Sequence, residues 1–408
     1  MKKRTIKDIT DWQGKRAFVR VDFNVPFNDA GNISDDTRIK EALPTLEYLT
    51  QQGARVIVAC HLGRPKGQVN EALRVAPIAK HLQSLMPNST VHYSPDGLET
   101  YPESVASLKD GEIYLLENIR FAEGEEKNDR EFANVLATGV DVFVNDAFGA
   151  AHRAHASTEG IAHYAPQSVA GLLMAREIEA LTPLVTEPKK PFVAIIGGSK
   201  VSTKITVLKN LLSQVDHLVI GGAMVFTFLK AQGVQVGKSL VEDDYLQTAR
   251  DLMQQAEQQG VQIHLANDVI VADAFSAEAN INTVSVYQIP DEMMGLDIGP
   301  ASVESIIEIL NQAKTILWNG PLGAFEMEPY AKATESVALT IADLTQNKEI
   351  QSVLGGGDTV AAIHQFGINP ERYSHVSTGG GASLEFLEGK TLPGIAVLAN
   401  ENPAQALV

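Results

Sequence analysis

Short runs of β-branched and aliphatic residues alternate along this chain with stretches whose apolar positions recur every three or four residues. The short runs predict strands at 16–21, 54–59, 112–116, 141–144, 192–196, 216–220, 262–265, 283–286, 314–318, 350–354 and 374–377. Val201, Ile205, Leu208, Leu211, Leu212 and Val215 keep helical spacing, and 243–259 and 330–344 read as helices. Strands separated by helices predict parallel sheets with helices on both faces. A helix over 172–181, followed by Pro183, Pro188 and Pro191, marks a break near the middle. The expected organisation is two α/β lobes, 1–170 and 186–390, joined by a helix and hinge at 171–185, with the tail 391–408 packing back on the first lobe.

In an open parallel sheet, ligands bind beyond the carboxyl ends of the strands. In the second half, glycines recur at that edge: Gly197-Gly198, Gly221-Gly222, Gly320, Gly355 to Gly357 and Gly379 to Gly381. Glycine lets backbone N–H groups approach a phosphate closely, and a helix start aims its free N–H groups at the anion. Asp358 follows one triplet and can reach a phosphate-bound magnesium ion, with Thr359 beside it. Aspartate is also a favoured N-cap, and the sequence leaves both roles open. Lys200 and Lys204 lie one turn apart at a helix start, where cations are disfavoured unless an anion binds. Asn319 and Glu326 are candidates for the ribose or its phosphates, although Asn319-Gly320-Pro321 also reads as a plain turn. No Walker-type phosphate loop occurs.

The first half places other chemistry at the same edge. Asp22 and Asn24 follow the first strand, His61 and Arg64 the second, Arg120 the third, and Asn145, Asp146, His152 and Arg153 the fourth. Arginine grips carboxylate and phosphate through a planar fork. Arg20, Arg38, Arg64, Arg120 and Arg153 near strand ends point to a compact, multiply charged anion. One half is thus expected to hold a nucleotide and the other a small anion.

Bulk properties narrow the partners. The net charge of −17 over 408 residues disfavours nonspecific nucleic-acid binding and an anionic membrane surface. No apolar run is long enough to cross a bilayer, and no signal core follows the basic start. The single cysteine, Cys60, excludes an internal disulfide and points to a reducing compartment, so a cytoplasmic location is expected.

These motifs resemble the phosphoglycerate kinase family over nearly the whole chain. They are Arg20-Val21-Asp22-Phe23-Asn24-Val25-Pro26, His61-Leu62-Gly63-Arg64-Pro65, Glu117-Asn118-Ile119-Arg120-Phe121 and Asn145-Asp146-Ala147-Phe148-Gly149 with His152-Arg153-Ala154-His155. The second half adds Gly197 to Lys204, Gly221-Gly222-Ala223-Met224, Gly295-Leu296-Asp297, Trp318 to Glu326, Gly355 to Thr359 and Ser377 to Gly381. The resemblance implies two Rossmann-like lobes and magnesium-dependent phosphoryl transfer from 1,3-bisphosphoglycerate to ADP, giving 3-phosphoglycerate and ATP. It assigns Asp22, Asn24, Arg38, His61, Arg64, Arg120 and Arg153 to the glycerate ligand. It assigns Lys200, Lys204, Gly295, Asn319, Glu326, Gly355, Gly356, Gly357, Asp358 and Thr359 to the nucleotide. It also implies a monomer whose lobes close to exclude water. Leu265-Ala266-Asn267-Asp268 departs from the family's usual Leu-Pro-x-Asp turn, and the tail after Pro393-Gly394 is longer than usual.

An attacking carboxylate carries no proton at neutral pH, so this chemistry needs no general base. Alignment and charge neutralisation are expected to supply catalysis. Arg38, Lys200, a magnesium ion on Asp358 and the N–H groups at Gly356-Gly357 and Gly379-Gly380 are the expected agents. A nucleotide-dependent dehydrogenase would instead carry Gly-x-Gly-x-x-Gly after a strand with an acidic residue about 20 positions on. No such pattern occurs in that context. A non-catalytic nucleotide binder would not need the intact lysines, arginines and Asp358. A kinase of another carboxylate is separated only by the resemblance.

Overall fold

The computed structural model describes residues 2–401. The fifteen strands seen there are β1 (Arg16–Arg20), β2 (Arg55–Ala59), β3 (Val91–Tyr93), β4 (Ile113–Leu115), β5 (Val142–Asn145), β6 (Ser168–Ala170), β7 (Phe192–Ile196), β8 (His217–Ile220), β9 (Gln262–His264), β10 (Asp268–Ala272), β11 (Ile281–Ser285), β12 (Met294–Ile298), β13 (Thr315–Asn319), β14 (Gln351–Gly355) and β15 (His375–Val376). The central strands are largely apolar because both their faces are buried: every residue of β5, β7 and β13 is buried, and the polar ones are Asn145, Thr315 and Asn319.

The contacts divide the chain inside the helix Leu172–Thr186, between Glu179 and Ala180. The first unit runs to Glu179 and includes the residues from Thr391 on. Its sheet has the order β3-β4-β2-β1-β5-β6, all parallel. β1 lies between β2 and β5, with Ala17 opposite Val56 on one side and Val142 on the other. The strand order reverses at β1 and β5, which is where such a sheet opens a crevice. The tail joins this unit: Gly394 donates to the Ala151 carbonyl at 2.9 Å, Ala399 to Ser168 at 3.0 Å, and the Lys3 ammonium to Leu398 at 2.9 Å. Residues 402–408 lie outside the described residues.

The second unit, Ala180–Lys390, has the order β15-β14-β13-β7-β8-β9, again parallel. Counted along the chain, this is the doubly wound order with its reversal between β7 and β13. A separate antiparallel sheet, β11-β10-β12, is inserted after β9.

That small sheet departs from the expectation of parallel strands only. The run at 283–286 belongs to it, and β10 and β12 were not foreseen. Met294–Ile298 contains a glycine and an aspartate, which strands usually avoid, so its pattern is masked. β3 and β6, three-residue strands at the two edges of the first sheet, lie outside the expected runs. The helix expected after Lys200 is two pieces, a 3-10 turn Val201–Thr203 and an α-helix Ile205–Leu211. Lys200 and Lys204 precede one piece each.

Candidate functional site

In the first unit, the cations gather at the reversal point of the sheet. Arg38 opens the helix Thr37–Gln51 and donates to Asp22 at 2.8 Å, just beyond β1. The start of that helix is held by Asp35, which accepts from the Thr37 amide at 2.9 Å. Gly63 is clamped from two sides: its amide donates to Asn24 at 2.9 Å and its carbonyl accepts from Arg120 at 2.8 Å. Its φ of 62° is left-handed, and this bend leaves Arg64 exposed. Arg120 is only 4% exposed; its Nε makes no hydrogen bond and is ion-paired with Glu126 at 3.4 Å. A buried guanidinium with an open donor is costly unless a ligand completes it. Arg153 is half-buried and donates from Nε to His152 at 3.1 Å.

The field in this cluster is strongly positive. Burial, then Arg20, Arg120, Arg38 and Arg153, hold His61 well below its usual range, so it is neutral at pH 7. Burial and the neighbouring cations likewise lower His155 to about 4. Arg20 differs from the other four arginines. It is fully buried, with its donors taken by Val21, Ser157 and His61. The expectation that all five face an anion is corrected by this burial.

In the second unit, the glycine loops meet at the β7–β13 reversal. The Gly197 amide donates to Asn319 at 2.9 Å, and a Cβ on Gly197 would lie 2.0 Å from the Pro321 carbonyl. Only glycine permits this approach. Thr359 is buried and accepts from the Gly320 amide at 2.7 Å, which ties a third loop to the other two. Asn319 is 1% exposed; its side-chain oxygen accepts from Lys204, while its Nδ2 lacks a partner. That open donor lies beside Gly356, whose added Cβ would be 3.1 Å from it. Gly356 has φ 93° and turns the chain from β14, which ends at Gly355, into the helix Gly357–Gln365. Asp358 sits in the first turn, exposed, and makes no capping bond, so the N-cap role is not its own. Burial lowers the Lys204 ammonium's pKa, against the pull of Asp358 and Glu388. Lys200 is exposed. The Gly379 amide donates to Ser377 at 3.2 Å ahead of the helix Gly381–Leu387.

A cavity of about 520 Å³ opens beside these loops. Gly198, Gly222 and Pro321 line one part, with Glu326 and Asp358 at its polar border. Its apolar surfaces include Phe226, Leu240 and Phe275, of which Leu240 and Phe275 are 51% and 68% exposed. Gly295 is needed because a Cβ there would fall 2.0 Å from the Phe226 ring. Apolar walls with a few polar groups at one end suit a nucleoside and its phosphates. A larger cavity of about 600 Å³ beside β9 has no charged side chain except a potential His264 cation. Burial and His217 lower His264 to about 4, so that cavity is neutral at pH 7.

The structure thus brings Asp22, Arg38, Asn24, Gly63 and Arg120 together by direct bonds, and Lys204, Asn319, Gly320 and Thr359 likewise. Sequence reasoning missed Phe226, Lys238, Leu240 and Phe275. Nothing local separates an exposed leucine that lines a cavity from one that does not.

The comparisons agree with this geometry. The family model described as phosphoglycerate kinase matches residues 6–390. The chain belongs to the phosphoglycerate kinase family. Phosphoglycerate kinases of Gloeothece citriformis and Acaryochloris marina are each 52% identical over 400 residues, covering 98% of this chain and 99% of theirs. The solved phosphoglycerate kinase of Coxiella burnetii matches with TM-score 0.89 at 40% identity, over 97% of this chain and 98% of that one. That of Pyrococcus horikoshii matches with TM-score 0.80 at 31% identity, over 98% of both. The chain is therefore a phosphotransferase, and the reaction is that of the phosphoglycerate kinases: reversible phosphoryl transfer from 1,3-bisphosphoglycerate to ADP. No helix among the described residues is long and apolar enough to cross a membrane.

Proposed function

We propose that the first unit binds the glycerate substrate through Asp22, Asn24, Arg38, His61, Arg64, Arg120 and Arg153, and that the second binds the nucleotide. The observation that carries this division is a pair of open, buried donors. Arg120 Nε makes no hydrogen bond and has Glu126 at 3.4 Å as its ion-pair partner, with Arg20 and Arg153 nearby, and Asn319 Nδ2 stands among glycine loops in the other unit. Buried donors are satisfied in folded proteins, so each calls for an acceptor that a ligand brings. A compact anion answers the first and a polyphosphate the second.

In the ATP-consuming direction, a carboxylate oxygen of 3-phosphoglycerate attacks the γ-phosphorus. The bond from that phosphorus to the β,γ-bridging oxygen breaks, and ADP leaves with the electron pair. No proton moves, which accords with a neutral His61 and a site rich in fixed cations. Lys200, Arg38 and the N–H groups of Gly356, Gly357, Gly379 and Gly380 neutralise the charge of the moving group. The apolar surfaces of Leu240, Phe275 and Phe226 hold the base, and Glu326 takes the ribose end.

Among the described residues no group of three His, Cys, Asp or Glu side chains forms a metal cage. A single exposed carboxylate beside a phosphate loop is instead the donor set for magnesium that arrives on the nucleotide, where phosphates and water fill its other positions. Asp358 would hold it, and the ion would supply Lewis-acid charge at the phosphates. The enzyme is further proposed to act as a cytoplasmic monomer; light scattering on the purified protein tests the oligomeric state.

Steady-state kinetics of two variants test the division. Arg120→Ala should raise KM for 3-phosphoglycerate by roughly 10-fold or more and leave KM for ATP near wild type, and Asn319→Ala should do the reverse. Crossed effects would refute it.

A further inference from the structure

Arg20 is conspicuous because it is a fully buried cation at the heart of the phosphoglycerate site without access to solvent. A guanidinium can only donate hydrogen bonds, and this fixes every proton around it. Its Nη2 lies 3.1 Å from His61 Nδ1, so Nδ1 must be the acceptor. The His61 proton is then on Nε2. On the other side, Arg20 Nε donates to Ser157 Oγ at 2.8 Å. The Ser157 hydroxyl must therefore spend its own proton elsewhere, and Glu125 Oε1 lies 2.6 Å away. The Ser157 amide donates to the other Glu125 oxygen at 2.9 Å. Glu125 is 0% exposed, so this carboxylate is the counter-charge for Arg20, one hydroxyl removed. A buried cation held through such a relay keeps a single orientation.

We infer that Glu125 and Ser157 are positioning residues, which act through Arg20 to lock His61 in the Nε2–H tautomer and present that N–H as a neutral donor to the glycerate substrate. The inference rests on the reading of this cluster as the phosphoglycerate site. It gives His61 a different task from the arginines. It supplies direction for one hydrogen bond, and the charge comes from Arg38, Arg64, Arg120 and Arg153. Burial and the cations Arg20, Arg120, Arg38 and Arg153 oppose protonation, which keeps the donor's form constant across the working range of pH. Glu125, 3.9 Å from His155, does not reverse this there either, since His155 is also held near 4.

The test is nitrogen NMR of the histidine rings in the intact enzyme, assigned with His61→Gln. The expected wild-type spectrum shows His61 with an unprotonated Nδ1 and a protonated Nε2 from pH 5.5 to 8, and its Nε2 signal moves on adding 3-phosphoglycerate. Ser157→Ala should mix the two tautomers and raise KM for 3-phosphoglycerate on the order of 10-fold, the scale at which such outer partners act, with kcat changed far less. Ser157→Thr restores the hydroxyl and should recover the single tautomer. A wild-type His61 protonated on Nδ1, or one that titrates between pH 6 and 7, overturns the inference, as does a Ser157→Ala enzyme with an unaltered tautomer. The wild-type spectrum decides even should a variant not fold. A correct tautomer whose signal ignores 3-phosphoglycerate would instead refute the assignment of the cluster to that ligand.

Discussion

Gly357 separates what the fold needs from what the ligand needs. It opens the helix Gly357–Gln365, and a Cβ built on it meets nothing within 4 Å. Its φ lies outside the left-handed region, so the folded chain gives no reason for glycine. Alanine here removes freedom from the unfolded chain and should stabilise the protein by about 0.4–1 kcal/mol. The same methyl group would stand where a phosphate approaches the loop's N–H groups. Loss of one such contact costs about 2.7–4 kcal/mol of barrier, or on the order of 100-fold in turnover. Gly357→Ala is thus expected to unfold at higher urea while turning over about 100-fold more slowly with 3-phosphoglycerate and magnesium-ATP. Gly260→Ala is the contrast. It too has open space, but its φ of 72° caps the helix Leu246–Gln259, so it should lose about 1 kcal/mol of stability and no activity. A Gly357→Ala enzyme with raised stability and unchanged turnover would show that these amides do not touch the transferred group.

Three further outcomes are expected. Lys200→Ala should lower turnover by about 100-fold or more with its urea midpoint unchanged, because the exposed ammonium contributes to no packing; near-normal turnover refutes its role. Gly197→Ala should destabilise by about 1–3 kcal/mol and also depress activity, since its methyl group would overlap the Pro321 and Gly320 carbonyls; a wild-type urea midpoint contradicts the packing described. Burial raises the Asp146 carboxyl to about 6, so the folded state holds that proton more tightly than the unfolded chain. Its stabilising effect is complete below about pH 4 and is lost as the pH rises to 6, a span of about 3 kcal/mol. Asp146→Asn should therefore flatten the fall in stability between pH 4.5 and 7, and an unchanged slope in urea titrations contradicts the assignment.

The parallel sheets were legible because buried strands such as Phe192–Ile196 are apolar without interruption. The glycine loops were legible because each follows a strand. The antiparallel insert was not, since Asp268 opens β10 and Asp297 interrupts β12 for reasons that lie in the fold. Asp268 accepts from the Ser302 amide at 2.8 Å, and Asp297 from Ala333 at 3.2 Å. Burial lifts Asp297 to about 8. Site chemistry was visible as residue type, but burial sorted it. Arg20 and Arg120 look alike in sequence; one is spent on Ser157 and His61, and the other is bonded to the Gly63 carbonyl and paired with Glu126. Thr359 reads as a ligand group and is found bonded to Gly320. Glu125 and Ser157, which complete the Arg20 relay, carry no local signal at all.

Amide hydrogen exchange with each substrate alone tests the central division most directly. With 3-phosphoglycerate, exchange should slow around Asn24, Gly63 and Arg120 and stay unchanged around Gly320 and Gly355 to Thr359. With magnesium-ADP the pattern should invert. Protection of the glycine loops by 3-phosphoglycerate alone, or of the arginine cluster by magnesium-ADP alone, would contradict the account.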